Sequence, residues 1–326
     1  MGNWHYIDGR WWDGRVVVIR WLVAGVGQAG RCHVAAIQKT PGATLAGLID
    51  PNVKDKGSTP LFPDLAAALN DVDADAIVVA TPNDTQAGLA QIALDAGVPV
   101  LCEKPIGKTR AEAEALDAQA KELRVPLGVV LNQRAQNHSR WIKALIESEA
   151  LVPRTVTFTG NLAGLTGWHA DPNRSGGGVL RTIGLHYIDL LLWWLGAPSA
   201  VQASLSDGPQ ETGIDVALAF SSGCMGHVKI EAVNERADGP VCCIIEGESG
   251  RVEMSGHSIT SVNGLPYPPP AEPHDDDFFF GPGHLAVIEE ATRALDKGEP
   301  FPVPLTEVFP ALAVVEELYK AVGRYT

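Results

Sequence analysis

The stretch Trp21-Leu-Val-Ala-Gly25-Val-Gly27-Gln-Ala-Gly30-Arg-Cys-His33 limits what this chain can fold into more than any other. A mostly apolar, β-like run from Val16 to Ala24 feeds a G-x-G-x-x-G turn, and a helical pattern follows to about Lys39. Glycines at this spacing recur by chance; the order strand, glycine turn, helix gives them meaning. Gly25 then allows the tight turn, Gly27 the approach of backbone to a pyrophosphate, and Gly30 close packing of helix on strand. Gln28 and Ala29 open the helix, whose unpaired N–H groups and positive dipole end suit phosphate. A second strand-like run, Ala43 to Ile49, ends in Asp50, 20 residues beyond Gly30. An acidic side chain there holds ribose hydroxyls and repels a 2′-phosphate, so NAD is the expected cofactor and NADP is disfavoured. The competing reading is a glycine-rich turn in some other α/β protein.

Composition narrows the partners. A chain of 326 residues can form two domains with separate cores. A formal net charge of −14 without a basic block argues against nucleic acid or an anionic membrane. Five cysteines without C-x-x-C spacing fit reduced thiols in a cytoplasm. No metal is expected, and no apolar run is long enough to span a bilayer. Residues 1–17, with Trp4, Trp11 and Trp12 among Gly, Asp and Arg, lack the apolar core of a signal peptide. They read as an extension, either an ordered arm or a misassigned start.

Along the chain, short apolar runs alternate with helical segments up to Leu131. Strands are expected at Ala76–Ala80, Val98–Cys102 and Pro126–Leu131. Helices are expected at Asp64–Asn70, Asp84–Ala96 and Thr109–Leu123, the last with a Thr109/Glu112 capping box. This alternation implies a doubly wound parallel sheet with right-handed crossovers. Its ligands sit beyond the strand C-termini. There the order places Thr81-Pro82-Asn83, Glu103-Lys104-Pro105 and Asn132 to Arg134. Past residue 135 the pattern changes. A linking helix at Ser139–Glu149 and an apolar helix at Val179–Leu195 accompany strand-like runs at residues 155–159, 201–205, 215–220, 226–232, 241–247 and 250–255. A loop at 265–282 and two closing helices follow. The expected division is 1–17 extension, 18–134 Rossmann domain and 135–326 α+β domain with a large, mostly antiparallel sheet.

Two stretches carry chemistry. Pro105 biases Lys104 towards extended backbone, which aims an ammonium into the cleft beside a nicotinamide. Alone, a Lys after a strand is more often a solvated charge. In Gly176-Gly-Gly-Val-Leu-Arg-Thr-Ile-Gly-Leu-His186-Tyr-Ile-Asp189, Asp189 lies three residues beyond His186 and shares its helix face, where it is expected to orient the imidazole and favour its charged form. Alone, a His in an apolar helix is more often a satisfied core residue.

The ordered set resembles the Gfo/Idh/MocA family of sugar and inositol oxidoreductases. It comprises Gly25-x-Gly27-x-x-Gly30-x-x-His33, Thr81-Pro-Asn83, Glu103-Lys104-Pro105, Gly176-Gly-Gly-x-Leu-x-x-x-Gly184-x-His186-x-x-Asp189 and Gly281-Pro-Gly-His284. The resemblance runs from Val18 to the C-terminus. It implies a Rossmann domain and an open-sheet domain that often mediates dimers or tetramers. It also implies hydride transfer between NAD or NADP and a secondary alcohol or ketone of a sugar, sugar acid, nucleotide sugar or inositol. By the same resemblance Lys104 and His186 are catalytic. Gly25, Gly27, Gln28, Ala29, Gly30, Asp50, Thr81, Pro82, Asn83, Glu103 and Lys104 bind the cofactor. Asn132, Arg134, Trp168, His169, Arg174, Thr182 and Asp189 are candidate substrate contacts, and Gly164, Gly167 and Gly176–Gly178 are expected to let their loop move. Two positions depart from the family pattern: Thr182, where many members have Asp, and Gln86, where many have His. Thr182 keeps open a non-catalytic NAD(P)-binding regulator. A member with tightly bound NAD acting as a redox-assisted glycosidase is a further alternative.

Overall fold

The structure is a computed structural model and describes residues 5–7, 10–12, 18–53, 58–208, 210–234, 239–267 and 282–324. Within the N-terminal extension, β1 (His5–Ile7) and β2 (Arg10–Trp12) pair as an antiparallel hairpin. The rest of residues 1–17 lies outside the described residues, as does most of the expected 265–282 loop.

The first layer follows from buried apolar strands separated by amphipathic helices. It comprises β3 (Ile19–Ala24), α1 (Gln28–Lys39), β4 (Ala43–Ile49), β5 (Leu61–Phe62), α2 (Leu65–Asp71), β6 (Ala76–Val79), α3 (Asn83–Asp95), β7 (Val100–Glu103), α4 (Arg110–Leu123) and β8 (Leu127–Val130). All pairs are parallel, in the order β5-β4-β3-β6-β7-β8. β6 and β7 are buried throughout, as continuous apolar runs in a parallel sheet require. The strand order reverses between β3 and β6, which makes their C-terminal ends the ligand crevice. β5 falls between the expected strand ending at Ile49 and the helix expected from Asp64, where no strand is expected; two paired residues are too short to show a period. Thr109 caps α4 by accepting from Glu112 N at 3.2 Å. The Glu112 carboxylate returns to Lys108 N at 2.7 Å, so the expected capping box closes one residue early.

The second layer begins with α5 (Asn137–Glu147) and β9 (Pro153–Ala163). A 3-10 turn at Gly167–Ala170, α6 (Pro172–Ser175), a π turn at Leu180–Gly184 and α7 (Leu185–Leu195) follow. Then come β10 (Pro198–Leu205), β11 (Gly213–Phe220), β12 (Met225–Asn234), β13 (Cys242–Gly247), β14 (Arg251–Ser255), β15 (Ser258–Val262) and β16 (Leu265–Pro266). The eight strands order as β10-β11-β12-β9-β13-β14-β15-β16, antiparallel except at β12–β9. The sequence reading missed β15, which is short and rich in polar residues, and β16, whose two residues fall in the expected loop. Phe158 on β9 packs against Tyr187 and Trp194 on α7, with ring centroids 4.9 and 5.9 Å away. These contacts seat the apolar helix on the sheet.

The chain ends in α8 (Gly283–Lys297), a 3-10 turn at Leu305–Val308 and α9 (Phe309–Ala321). α9 shares the core of the second sheet, whereas α8 crosses back to the first. Val287, Ile288 and Ala291 of α8 bury against Trp21, Val23 and Ile37. Trp21 Nε1 donates to Thr292 Oγ1 at 3.2 Å.

Candidate active site

Each glycine of the first turn meets a different surrounding. A Cβ on Gly25, at φ +87°, would meet Ala80 O at 2.5 Å, and one on Gly30 would meet Gly25 O at 1.9 Å. A Cβ on Gly27 would meet nothing within 4 Å. Gly25 and Gly30 therefore let β3, β6 and α1 close on one another, while Gly27 faces open space at the start of α1. The first N–H groups of α1, at Gln28 and Ala29, have no intrahelical acceptor. Asp50, at the end of β4, accepts from Val26 N at 3.0 Å and Asn52 N at 2.9 Å, so its carboxylate braces the turn it borders.

Beyond β6, Thr81 Oγ1 is buried without a hydrogen-bond partner among the described residues, as is Asn132 Oδ1 beyond β8. Orphaned polar atoms at the mouth of a parallel sheet are groups that a polar ligand satisfies. With the open face of Gly27 they fit a bound dinucleotide. Pro82 caps α3. The Asn83 amide, expected at the cofactor, donates instead to Ser175 O at 2.8 Å and ties α3 to α6. Gln86 spans two loops: Nε2 donates to Thr81 O at 3.2 Å and Oε1 accepts from Gly107 N at 3.0 Å. A glutamine does this with one donor and one acceptor, so the departure from His leaves the strand ends joined.

Lys104 follows β7, with a cis peptide to Pro105. Its Nζ donates to Thr182 O at 2.8 Å. Thr182 lies in the π turn, where Leu185 N–H reaches back five residues to Leu180 O. Such a bulge loosens the carbonyl ladder, and here a carbonyl of that stretch receives the ammonium. The Thr182 hydroxyl is spent on Gly178 O at 2.8 Å. One turn on, His186 is held well below its ordinary pKa, first by burial and next by the Lys104 charge. Lys104 is itself lowered by burial, with Glu103 opposing. An imidazole held towards its neutral form and the Lys104 amine therefore act on one another beyond the strand ends.

The expected His186–Asp189 partnership is corrected. Asp189 gives both oxygens to Arg134, at 2.6 and 2.8 Å, and Arg134 also donates to Glu307 at 2.8 Å. A guanidinium offers a bidentate fork that an imidazole cannot match. Arg134, whose Cζ lies 5.6 Å from the Trp193 ring centroid, is thus an internal brace, as is Asp189. Neither is free for substrate, in contrast to the sequence expectation. Glu103, expected at the cofactor, is 7% exposed and turns to a buried pair of imidazoles. Its Oε1 accepts from His33 Nε2 at 2.9 Å and His284 Nε2 at 3.2 Å. Burial raises the Glu103 pKa, but the bonds from His284 and His33 outweigh it and hold the carboxyl well below the usual range. These three groups lie within 4.8 Å of one another. They form a buried hydrogen-bond network, in which His33 Nδ1 has no partner among the described residues.

The loop before the π turn brings His169 within reach of the Lys104 charge. Trp168 and His169 stack at 3.7 Å between centroids. The Lys104 charge contributes, after burial, to lowering His169 to about 4. Arg174 pairs with Asp84 on α3 at 3.1 Å. The Gly176–Gly178 run, expected to confer mobility, marks close approach instead. A Cβ would meet Lys108 at 2.8 Å from Gly176, Tyr319 Oη at 2.4 Å from Gly177 and Glu211 O at 2.1 Å from Gly178. Glu211, which carries no sequence signal, is 2% exposed. Its Oε1 accepts from Gly178 N at 3.0 Å, Leu180 N at 3.1 Å and the Tyr319 hydroxyl at 2.5 Å. That carboxylate caps the helix start that delivers His186.

Similarity to known proteins agrees with this geometry. Residues 19–131 match a family described as an oxidoreductase family with an NAD-binding Rossmann fold, and residues 141–253 match the GFO/IDH/MocA C-terminal domain. The levoglucosan dehydrogenase of Pseudarthrobacter phenanthrenivorans is 33% identical over 44% of this chain and 38% of its own length. An inositol 2-dehydrogenase of Rhizobium meliloti is 22% identical over 94% of this chain and 98% of its own. The match thus spans well under two thirds of the first of these relatives. The WlbA dehydrogenase of Bordetella pertussis, solved with NADH and UDP-GlcNAcA, superposes with a TM-score of 0.80 at 23% identity, covering 94% of this chain and 96% of that one. Two family domains in order, on a six-stranded Rossmann sheet and a mostly antiparallel eight-stranded one, establish that the chain belongs to the Gfo/Idh/MocA family of NAD-binding oxidoreductases.

Proposed function

We propose that the protein is an NAD-dependent dehydrogenase of a cyclic sugar, sugar acid, nucleotide sugar or inositol. One observation carries the reading: Lys104, at the C-terminal end of β7, donates to Thr182 O in the second layer, one helical turn before His186, whose imidazole feels the Lys104 charge. When bound, NAD supplies the hydride acceptor. His186, kept neutral by burial and by Lys104, accepts the substrate hydroxyl proton at an imidazole nitrogen. Lys104 donates to the same oxygen and stabilises its developing negative charge. General-base assistance of this kind contributes about 10²–10⁴-fold. Trp168 and His169 stack on each other near the Lys104 charge and offer an aromatic face against which a sugar ring can lie. The names of the levoglucosan and inositol relatives support a carbohydrate or cyclitol substrate. Asp50 supports NAD over NADP, and five cysteines outside any disulfide support a reducing compartment. Residues 18–134 as cofactor domain, 135–326 as substrate domain, and assembly into dimers or tetramers belong to the same proposal.

A panel of sugars, sugar acids and inositols with NAD, read by NADH absorbance, tests the reading. At least one substrate should turn over, and Lys104→Ala and His186→Ala should each lower kcat by at least about 100-fold while NADH binding persists. Near-normal turnover in either variant removes that residue from the mechanism. NADH binding without turnover on any substrate favours the regulator reading instead.

A further inference from the structure

The proton chemistry above makes no use of the cluster behind Lys104. Three elements converge there: His33 from α1, Glu103 from the end of β7 and His284 from the start of α8, at 0%, 7% and 2% exposure. A carboxylate at this depth would ordinarily take up a proton. The two Nε2–H donors prevent that. His33 is held neutral, chiefly by burial, so its hydrogen bond stabilises the negative charge without cancelling it. The next residue in the chain is the half-buried Lys104. Its Nζ donates to the Thr182 carbonyl, and among the described titratable groups its charge couples to His186 from the helix start, His169 from the 3-10 turn and the adjacent Glu103. Glu103 is the one anion among them.

We propose that Glu103, oriented by His33 and His284, is the counter-charge that keeps Lys104 protonated: a positioning residue for the dehydrogenase reaction proposed above, on which this inference rests. Burial alone drives Lys104 towards the neutral amine, which is a weaker donor to a developing alkoxide. A fixed anion behind it opposes that drive. The sign follows. If Lys104 acts as the cation, the alkaline limb of kcat/KM reports its deprotonation, and removing the Glu103 charge moves that limb to lower pH.

The test follows Lys104 directly, by NMR titration of the full chain carrying 15Nζ-lysine, with Lys104→Met assigning the signal. Glu103→Gln should lower the Lys104 midpoint by about one unit, the lower end of the range for one nearby opposite charge. Glu103→Asp, which keeps the charge, should restore most of it, and the alkaline limb should follow. An unchanged midpoint in a folded Glu103→Gln protein overturns the inference. If that variant does not fold, 13C-glutamate in the unaltered protein decides: Glu103 should stay ionised where exposed glutamates titrate, and titration alongside them overturns it. The NMR readout needs no substrate. A shifted midpoint without turnover on any panel substrate therefore supports the counter-charge and counts against the dehydrogenase reading alone.

Discussion

Replacing Gly27 and Gly30 by alanine separates the cofactor role of the glycine turn from its folding role. The two residues are three apart, yet the space around them differs. Gly27 has φ −71° and open space where a Cβ would stand. As the N-cap of α1 it should lose about 0.5 kcal/mol on becoming alanine, a fall in Tm of about 1–2 °C for a chain of this size. The added methyl would occupy the space through which a pyrophosphate approaches. Losing one charge-assisted hydrogen bond there costs about 1.5–3 kcal/mol, so NADH should bind about 10–100-fold more weakly. Gly30 is the reverse case. Its Cβ would lie 1.9 Å from Gly25 O, where contacts under 3.0 Å do not persist, so turn and helix must separate by more than 1 Å. Overpacking of this kind costs about 1–3 kcal/mol. Gly30→Ala should therefore lower Tm by several degrees and weaken NADH binding indirectly. Thermal unfolding and NADH fluorescence titration on both variants give the four numbers needed. Wild-type NADH affinity in Gly27→Ala, or equal losses of Tm in the two variants, would refute this account of the turn.

Two further predictions concern specificity and pH. Asp50→Ala removes both the brace on Val26 and the repulsion of a 2′-phosphate, so affinity for NAD should fall while the NAD/NADP ratio of kcat/KM narrows. A ratio that does not move removes Asp50 from cofactor choice. In the oxidation direction the base must be neutral, and His186 is held below its ordinary value, so the acidic limb of kcat/KM should lie below the usual imidazole range. Thr182→Asp places a carboxylate beside it and should move that limb upward by up to about one unit; an unmoved limb in a folded variant would exclude His186 as the titrating base.

What the sequence made legible was local. The glycine turn, Glu103-Lys104-Pro105 and the run ending in His186 each declare themselves within about a dozen residues, because strand ends and helix starts are fixed by nearby spacing. The parallel order followed from the alternation of strands and helices. Choice of partner was not legible. Asp189 is three residues from His186, and helical geometry alone pairs them; a guanidinium from 55 residues away wins because its fork is bidentate. His33 and His284 meet over Glu103 only because α8 returns to the first sheet, a crossing no periodicity announces. Glu211 is a lone acidic residue in a loop until Gly178 and Tyr319 close on it. The glycines at 176–178 read as freedom in sequence and prove to be clearances for packed neighbours, since a missing Cβ looks the same in either case.

Thr182 shows how the same distinction bears on chemistry. As a side chain it is the wrong residue for a relay that pairs His with Asp, and its hydroxyl turns back to Gly178 O. As a backbone unit it holds the Lys104 ammonium. That carbonyl is available because the helix opens as a π turn, and the π turn is held at its start by the Glu211 cap. The lysine is thus placed by main-chain geometry that no substitution at 182 short of proline removes directly. With Asp189 committed to Arg134 and no carboxylate at 182, burial and Lys104 act on His186 in the same direction, towards the neutral base. In the proposed reaction a base of lowered pKa is a weaker acceptor but is deprotonated near neutrality, and an ammonium beside it eases the transfer by stabilising the alkoxide and so lowering the pKa of the substrate hydroxyl. On the proposed mechanism, a threonine in place of an acid at 182 therefore shifts work from the imidazole to the lysine, whose protonated state then matters more than it would in a His–Asp relay.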